Sequence, residues 1–136
     1  MPMNMKTALP RRRGAATVEL AIVLPLLLIL FFGTVALTNM IYLKQSLKIC
    51  AFEGTRIALL PGTSSKDVQF ACQQMLDTRR IRNATVSVDP PDFQKQPYGT
   101  PIRVSVSADL SNNLLGPLMV LSDRRVTETV TMMKER

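Results

Sequence analysis

Residues 20–37 form an unbroken run of 18 positions without a charged side chain, and no other feature constrains the chain as strongly. In a helix, a run of this kind matches the hydrocarbon thickness of a bilayer, about 30 Å or roughly 20 residues. Extended backward through 15–18 and forward through 40–43, it has the length of a membrane-spanning helix. Pro25 lies early in the run, where the carbonyls of the preceding turn find local partners, so a mild kink is expected rather than a break. Lys6, Arg11, Arg12 and Arg13 precede the run with no acid among them. Such a basic cluster stays on the cytoplasmic side and sets the orientation of a single span. A secretory signal peptide shares the basic-then-apolar order. Its apolar region is shorter, however, at about 7–15 residues, and it ends at a small-residue cleavage site that does not follow here.

The charge balance reads differently once the leader is set apart. The chain carries a net charge of +7 and has a pI near 10.0, values that invite a nucleic-acid reading. Yet from Ala15 onward there are thirteen basic and ten acidic residues. Five Phe and two Tyr supply few base-stacking surfaces, so the footprint of a nucleic-acid binder is absent. There is no histidine, which removes the commonest general base and the commonest metal ligand together. Without it, and without a clustered carboxylate pair, no nucleophile has an activator. Asp89 and Asp92 flank a Pro-Pro loop and read as solvated carboxylates, and Asn83-Ala84-Thr85 as a chance sequon. The expectation is a protein with neither catalytic activity nor a cofactor.

Arg13-Gly14-Ala15-Ala16-Thr17-Val18-Glu19-Leu20 is more specific than any generic anchor. A glycine after a basic run, with a lone glutamate five residues later inside an apolar helix, is the pattern of a type IV prepilin leader. Within that superfamily the stretch resembles the TadE family of minor pseudopilins from tight-adherence (Flp/Tad) pili. Ala51-Phe52-Glu53-Gly54-Thr55-Arg56 is similar to a further family segment of the form A-x-E-G-x-R. Leu20 departs from pilins of this pathway that place an aromatic residue after the glutamate, which suits a minor pseudopilin better than the major pilin. The resemblance implies cleavage by a prepilin peptidase between Gly14 and Ala15. It also implies insertion in the bacterial inner membrane and partnership with other pilins, pseudopilins and the Tad assembly platform.

Physical chemistry supports those roles. Gly14 offers an unhindered backbone at a cut, and cutting there frees the Ala15 amino group at the membrane edge. Glu19 lies about one turn further in. A carboxylate costs up to about 2.5–3.5 kcal/mol at the bilayer centre and less near its end. It is tolerable opposite a cation, and the resemblance implies that this cation is a neighbour's new N-terminus. Snorkelling to the interface is the alternative.

Helical periodicity continues past the apolar run through Leu43, Leu47, Cys50, Ala51, Gly54, Ile57 and Ala58, and Pro61-Gly62 supplies a stop. One helix over 15–60 is expected. Ser64 to Asp67 reads as a capping box that opens a second helix, with Val68, Ala71, Cys72, Met75 and Leu76 on one face and Arg79-Arg80 at its end. Three alternating segments follow around 84–89, 102–107 and 126–132, with Glu128 interrupting the apolar side of the last. Residues 111–121 crowd six large apolar side chains around Gly116-Pro117, which suits a core-filling segment or an exposed docking patch. Cys50 and Cys72 fall on the apolar faces of the two helices, where a disulfide and two buried thiols fit equally well.

The expected fold is therefore α+β. A leader (1–14) is followed by a transmembrane helix (15–43), its extracytoplasmic continuation (44–62), and a small head (63–136) with a second helix and a three-stranded antiparallel sheet. A pilus assembly protein fits this layout best; a membrane-tethered binding or sensor module is the alternative.

Overall fold

In the computed structural model, which describes residues 12–113 and 124–135, a single helix α1 runs from Arg12 to Ala58, 47 residues without interruption. It passes through Pro25. It starts three residues earlier than the expected 15–60 helix and stops two residues sooner, at the Pro61-Gly62 turn. Gly62 has φ 82°, a left-handed conformation that only glycine adopts without strain. Two hydroxyls in the apolar half are satisfied locally: Thr34 Oγ1 donates to the Phe31 carbonyl at 2.8 Å, and Thr38 Oγ1 to that of Thr34 at 2.9 Å. A hydroxyl bonded in this way brings no unpaired donor into an apolar setting.

The capping box forms as its sequence predicts. Ser64 N–H donates to Asp67 Oδ2 at 2.9 Å, and Asp67 N–H donates to Ser64 Oγ at 3.3 Å. Helix α2 then runs Ser65–Thr78. Arg79 and Arg80 lie just beyond it rather than inside it. The Arg80 N–H donates to the Asp77 carbonyl at 2.9 Å and the Ile81 N–H to that of Leu76 at 2.9 Å. These are the paired bonds of a Schellman motif, with Arg80 at φ 58° in the left-handed position and Ile81 packed back toward Leu76.

Strands β1 (Ala84–Asp89), β2 (Pro101–Asp109) and β3 (Arg125–Met133) form an antiparallel sheet in the order β1-β2-β3. The register pairs Val86 with Val106 and Val88 with Val104, and Val104 with Val130. Ile102, Val104, Val106 and Ala108 are fully buried along one side of β2. They pack against Leu43, Leu47, Cys50 and Ala51 of α1 and Val68, Cys72 and Leu76 of α2. The other sheet face is polar, with Ser105 Oγ and Thr129 Oγ1 sharing a hydrogen bond at 2.9 Å.

Glu128, out of place in the sequence pattern, lies on the helix side of β3, where its carboxylate sits 3.8 Å from Lys44 Nζ. A short 3-10 turn, Phe93–Lys95, buries Phe93 at the end of the core remote from the apolar helix. Ser111 to Asn113 form a turn; the apolar segment expected from 114 to 121 lies outside the described residues.

Candidate functional site

Over residues 14–32, the apolar half of α1 has none of the described protein packed on it. Residues 14–32 are all exposed, with Ile22 and Ile29 at 71% and 72%. The helix is long and apolar enough to cross a membrane. Burial of such side chains is worth about 1.5–3 kcal/mol each, so a bare stripe of this length requires lipid or other helices around it. Gly14, Ala15 and Glu19 lie on this free stretch. An added Cβ at Gly14 would meet nothing within 4 Å. Backbone flanking the expected cut is helical, from Arg12 onward. Arg11 lies outside the described residues. Glu19 makes no ion pair among the described residues.

The other half of α1 is the spine of the head. Leu43, Leu47, Cys50, Ala51 and Ala58 are buried along the side that faces α2 and the sheet. Gly54 sits where all three meet: a Cβ there would lie 2.5 Å from Cys72 Sγ and 3.3 Å from Val104 Cγ1. Small residues at 51, 54 and 58 let α2 approach α1 closely, as close packing of the interior requires. Thr55 is also buried and returns its hydroxyl to the Ala51 carbonyl at 2.7 Å. Glu53 and Arg56 point outward and pair at 3.9 Å, an exposed contact of small value. The A-x-E-G-x-R segment thus has a structural account: its alanine and glycine form the helix seam, and its charges face solvent.

The structure brings Cys50 and Cys72 together as neighbouring buried thiols. Cys50 Sγ donates to the Cys72 carbonyl at 3.4 Å, and Cys72 Sγ to that of Cys50 at 3.5 Å. The neighbouring Cys72 side chain, reinforced by burial, holds the Cys50 thiol well above its ordinary range.

Sequence reasoning missed two contacts that hold the head together. Lys134 Nζ donates to three carbonyls, of Phe93 at 3.2 Å, Gln94 at 2.8 Å and Gln96 at 2.9 Å. The Asn113 side chain clamps Arg82 by both its N–H and its carbonyl. Neither has a local sequence signal, because the partners are about 30 to 40 residues away.

No curated protein and no solved structure matches the chain. A family model described as TadE-like protein matches residues 14–56. That span opens at Gly14, includes Glu19 and the Gly54 seam, and ends two residues before α1 does. Over residues 14–56, which lie within its long helix, the chain is similar to the TadE-like family.

Proposed function

We propose that the chain is a minor pseudopilin of a Tad-type pilus or a related secretion apparatus, a structural assembly protein without catalytic activity of its own. Prepilin peptidase cuts it between Gly14 and Ala15. The helix holds it in the bacterial inner membrane with the leader cytoplasmic and the head outside. Other pilins, pseudopilins and the Tad platform then take it up through the exposed stripe of α1. The observation that carries this reading is the coincidence of the TadE-like match, which begins at Gly14, with a stretch of apolar helix, residues 14–32, that no part of the described chain covers. Glu19, one turn beyond Ala15, is the recognition group for a neighbour's freed amino terminus.

The test is Glu19→Gln in the native host at matched expression. A charge-assisted contact of this type is worth about 1.5–3 kcal/mol. The variant should therefore insert and be cleaved normally, with the chain starting at Ala15 by N-terminal sequencing, while co-purification with other pilins falls roughly tenfold or more. Normal piliation would refute the role of Glu19. A mature chain beginning near Thr38 would establish an ordinary secretory signal instead.

A further inference from the structure

No linker separates the apolar half of α1 from the half that builds the core, so the head stands directly on the surface that the apolar half enters. Which end of the head faces that surface follows from the contacts. α2 returns antiparallel along α1: Gly54 meets Val68 and Cys72, and Arg79 Nη1, beyond the helix end, donates to Ser46 Oγ at 3.3 Å. The carboxyl end of α2 therefore points back toward the apolar run. So do the end of β2 and the start of β3, since Asp109 pairs with Arg125 while Glu128 reaches Lys44.

This topology gathers charge. The end of the head beside the apolar helix exposes Lys44 and Lys48 from α1, Arg80 and Arg82 after α2, and Arg124 and Arg125 at the opening of β3. Its carboxylates among the described residues are Asp77, Asp109 and Glu128. Asp109 is taken by Arg125 at 3.0 Å and Glu128 by Lys44 at 3.8 Å. Lys48, Arg80, Arg82 and Arg124 have no ion-pair partner among the described residues. At the opposite end Lys66, Lys95, Arg103 and Lys134 are matched by Asp67, Asp89, Asp92 and Glu135. The described head is thus electrically polar along its long axis.

The height of this basic end above the membrane follows from the rise of α1. Counting roughly 20 residues of hydrocarbon from Leu20 puts its far edge near Asn39. Lys44 then lies about 7.5 Å beyond, at about 1.5 Å per residue, within the headgroup layer. Guanidinium groups at that depth match phosphate oxygens in charge and in fork geometry.

We propose that this end of the head is a basic collar that binds the phosphate headgroups of anionic phospholipids in the leaflet from which α1 emerges. The proposal rests on the reading of α1 as membrane-spanning. A cation at an anionic bilayer surface is worth about fivefold in partitioning. The full chain is reconstituted in nanodiscs of equal parts phosphatidylcholine and phosphatidylglycerol, and the lipids it retains are counted by native mass spectrometry. Wild type should favour phosphatidylglycerol about fivefold or more, a preference that high salt removes. Arg80→Gln, Arg82→Gln and Arg124→Gln together should abolish it. Removing three charges from the opposite end, by Lys66→Gln, Lys95→Gln and Arg103→Gln, should leave it unchanged. Equal retention of both lipids by wild type, or equal loss in the two variants, overturns the collar. A chain that never enters the discs overturns the membrane-spanning reading along with it, whereas insertion without preference overturns the collar alone.

Discussion

Replacing Gly54 by alanine adds one methyl group where α1, α2 and β2 converge. The new Cβ would stand 2.5 Å from Cys72 Sγ, 3.3 Å from Val104 Cγ1 and 3.6 Å from Val68 Cγ1. The first distance is about 1.0–1.5 Å inside an ordinary contact of about 3.5–4.0 Å. Cys72 has little room to yield, because it is fully buried and its sulfur is engaged with the Cys50 carbonyl at 3.5 Å. Overpacking of this kind costs about 1–3 kcal/mol, against a gain of about 0.8–1.0 kcal/mol from removing a glycine inside a helix. The net expectation is destabilisation of about 1 kcal/mol, or about 4–8 °C in Tm for a domain of this size. Gly33→Ala serves as the control, since a Cβ there meets nothing within 4 Å and only the propensity gain remains. The discriminating variant is the double substitution Gly54→Ala with Cys72→Ala, which removes the clashing sulfur. A double-mutant cycle should return a favourable coupling of about 1 kcal/mol or more. Thermal unfolding of the full chain in detergent with reductant, which keeps residue 72 a thiol, followed by far-UV circular dichroism, is the measurement. A Gly54→Ala chain as stable as wild type, with no coupling to residue 72, would refute the seam as the reason for the glycine.

Four further expectations concern the head. Chain isolated from the host without reductant and then unfolded should take up no thiol label until reductant is added, because Cys50 and Cys72 are adjacent and the proposed orientation puts the head in an oxidising compartment. A bridge would close a loop 22 residues long, worth about 3 kcal/mol, and free labelling of both thiols would exclude it. Ser64→Ala should cost about 1 kcal/mol by removing the N-cap, read as a lower unfolding midpoint. The capping box also makes stability fall in acid: the hydrogen bonds from Ser64 hold Asp67 below the usual carboxylate range. Its contribution is present above an unfolded value of about 3.9 and is lost as pH falls through the lower folded value. The acid limb of a stability profile should flatten in Asp67→Asn. Lys134→Met should lower stability by about 2 kcal/mol, since three carbonyls lose a cationic donor, and amide hydrogen exchange should quicken at residues 93–96.

Local rules made much of this architecture legible from residues alone. The 20–37 run, the Ser64–Asp67 box and the alternation over 84–89, 102–107 and 126–132 are each written in spacings of two to four residues. Helix turns and strand pleats impose those spacings wherever they occur. The same reading found the resemblance that opens at Gly14, which the family model matches over residues 14–56, because it lies in order along the chain. It misplaced the ends of the long helix by a few residues, since helix boundaries depend on which last carbonyls find partners. It also treated Glu128 as an interruption, because nothing within β3 reveals that Lys44 stands opposite.

What the sequence determined by itself, then, is the set of elements and the apolar span, since hydrophobic period and turn chemistry act over one or two turns. Tertiary structure decided the rest. It made Gly54 a contact point rather than a helix weakness, placed Lys134 among three carbonyls, set the two thiols side by side, and drew cations from three separate segments to one end of the head. Each of these joins residues tens of positions apart, and the direction in which α2 and the strands return along α1 brings them together. Only the buried packing of Leu47, Leu76 and Val104 in a common core fixes that direction.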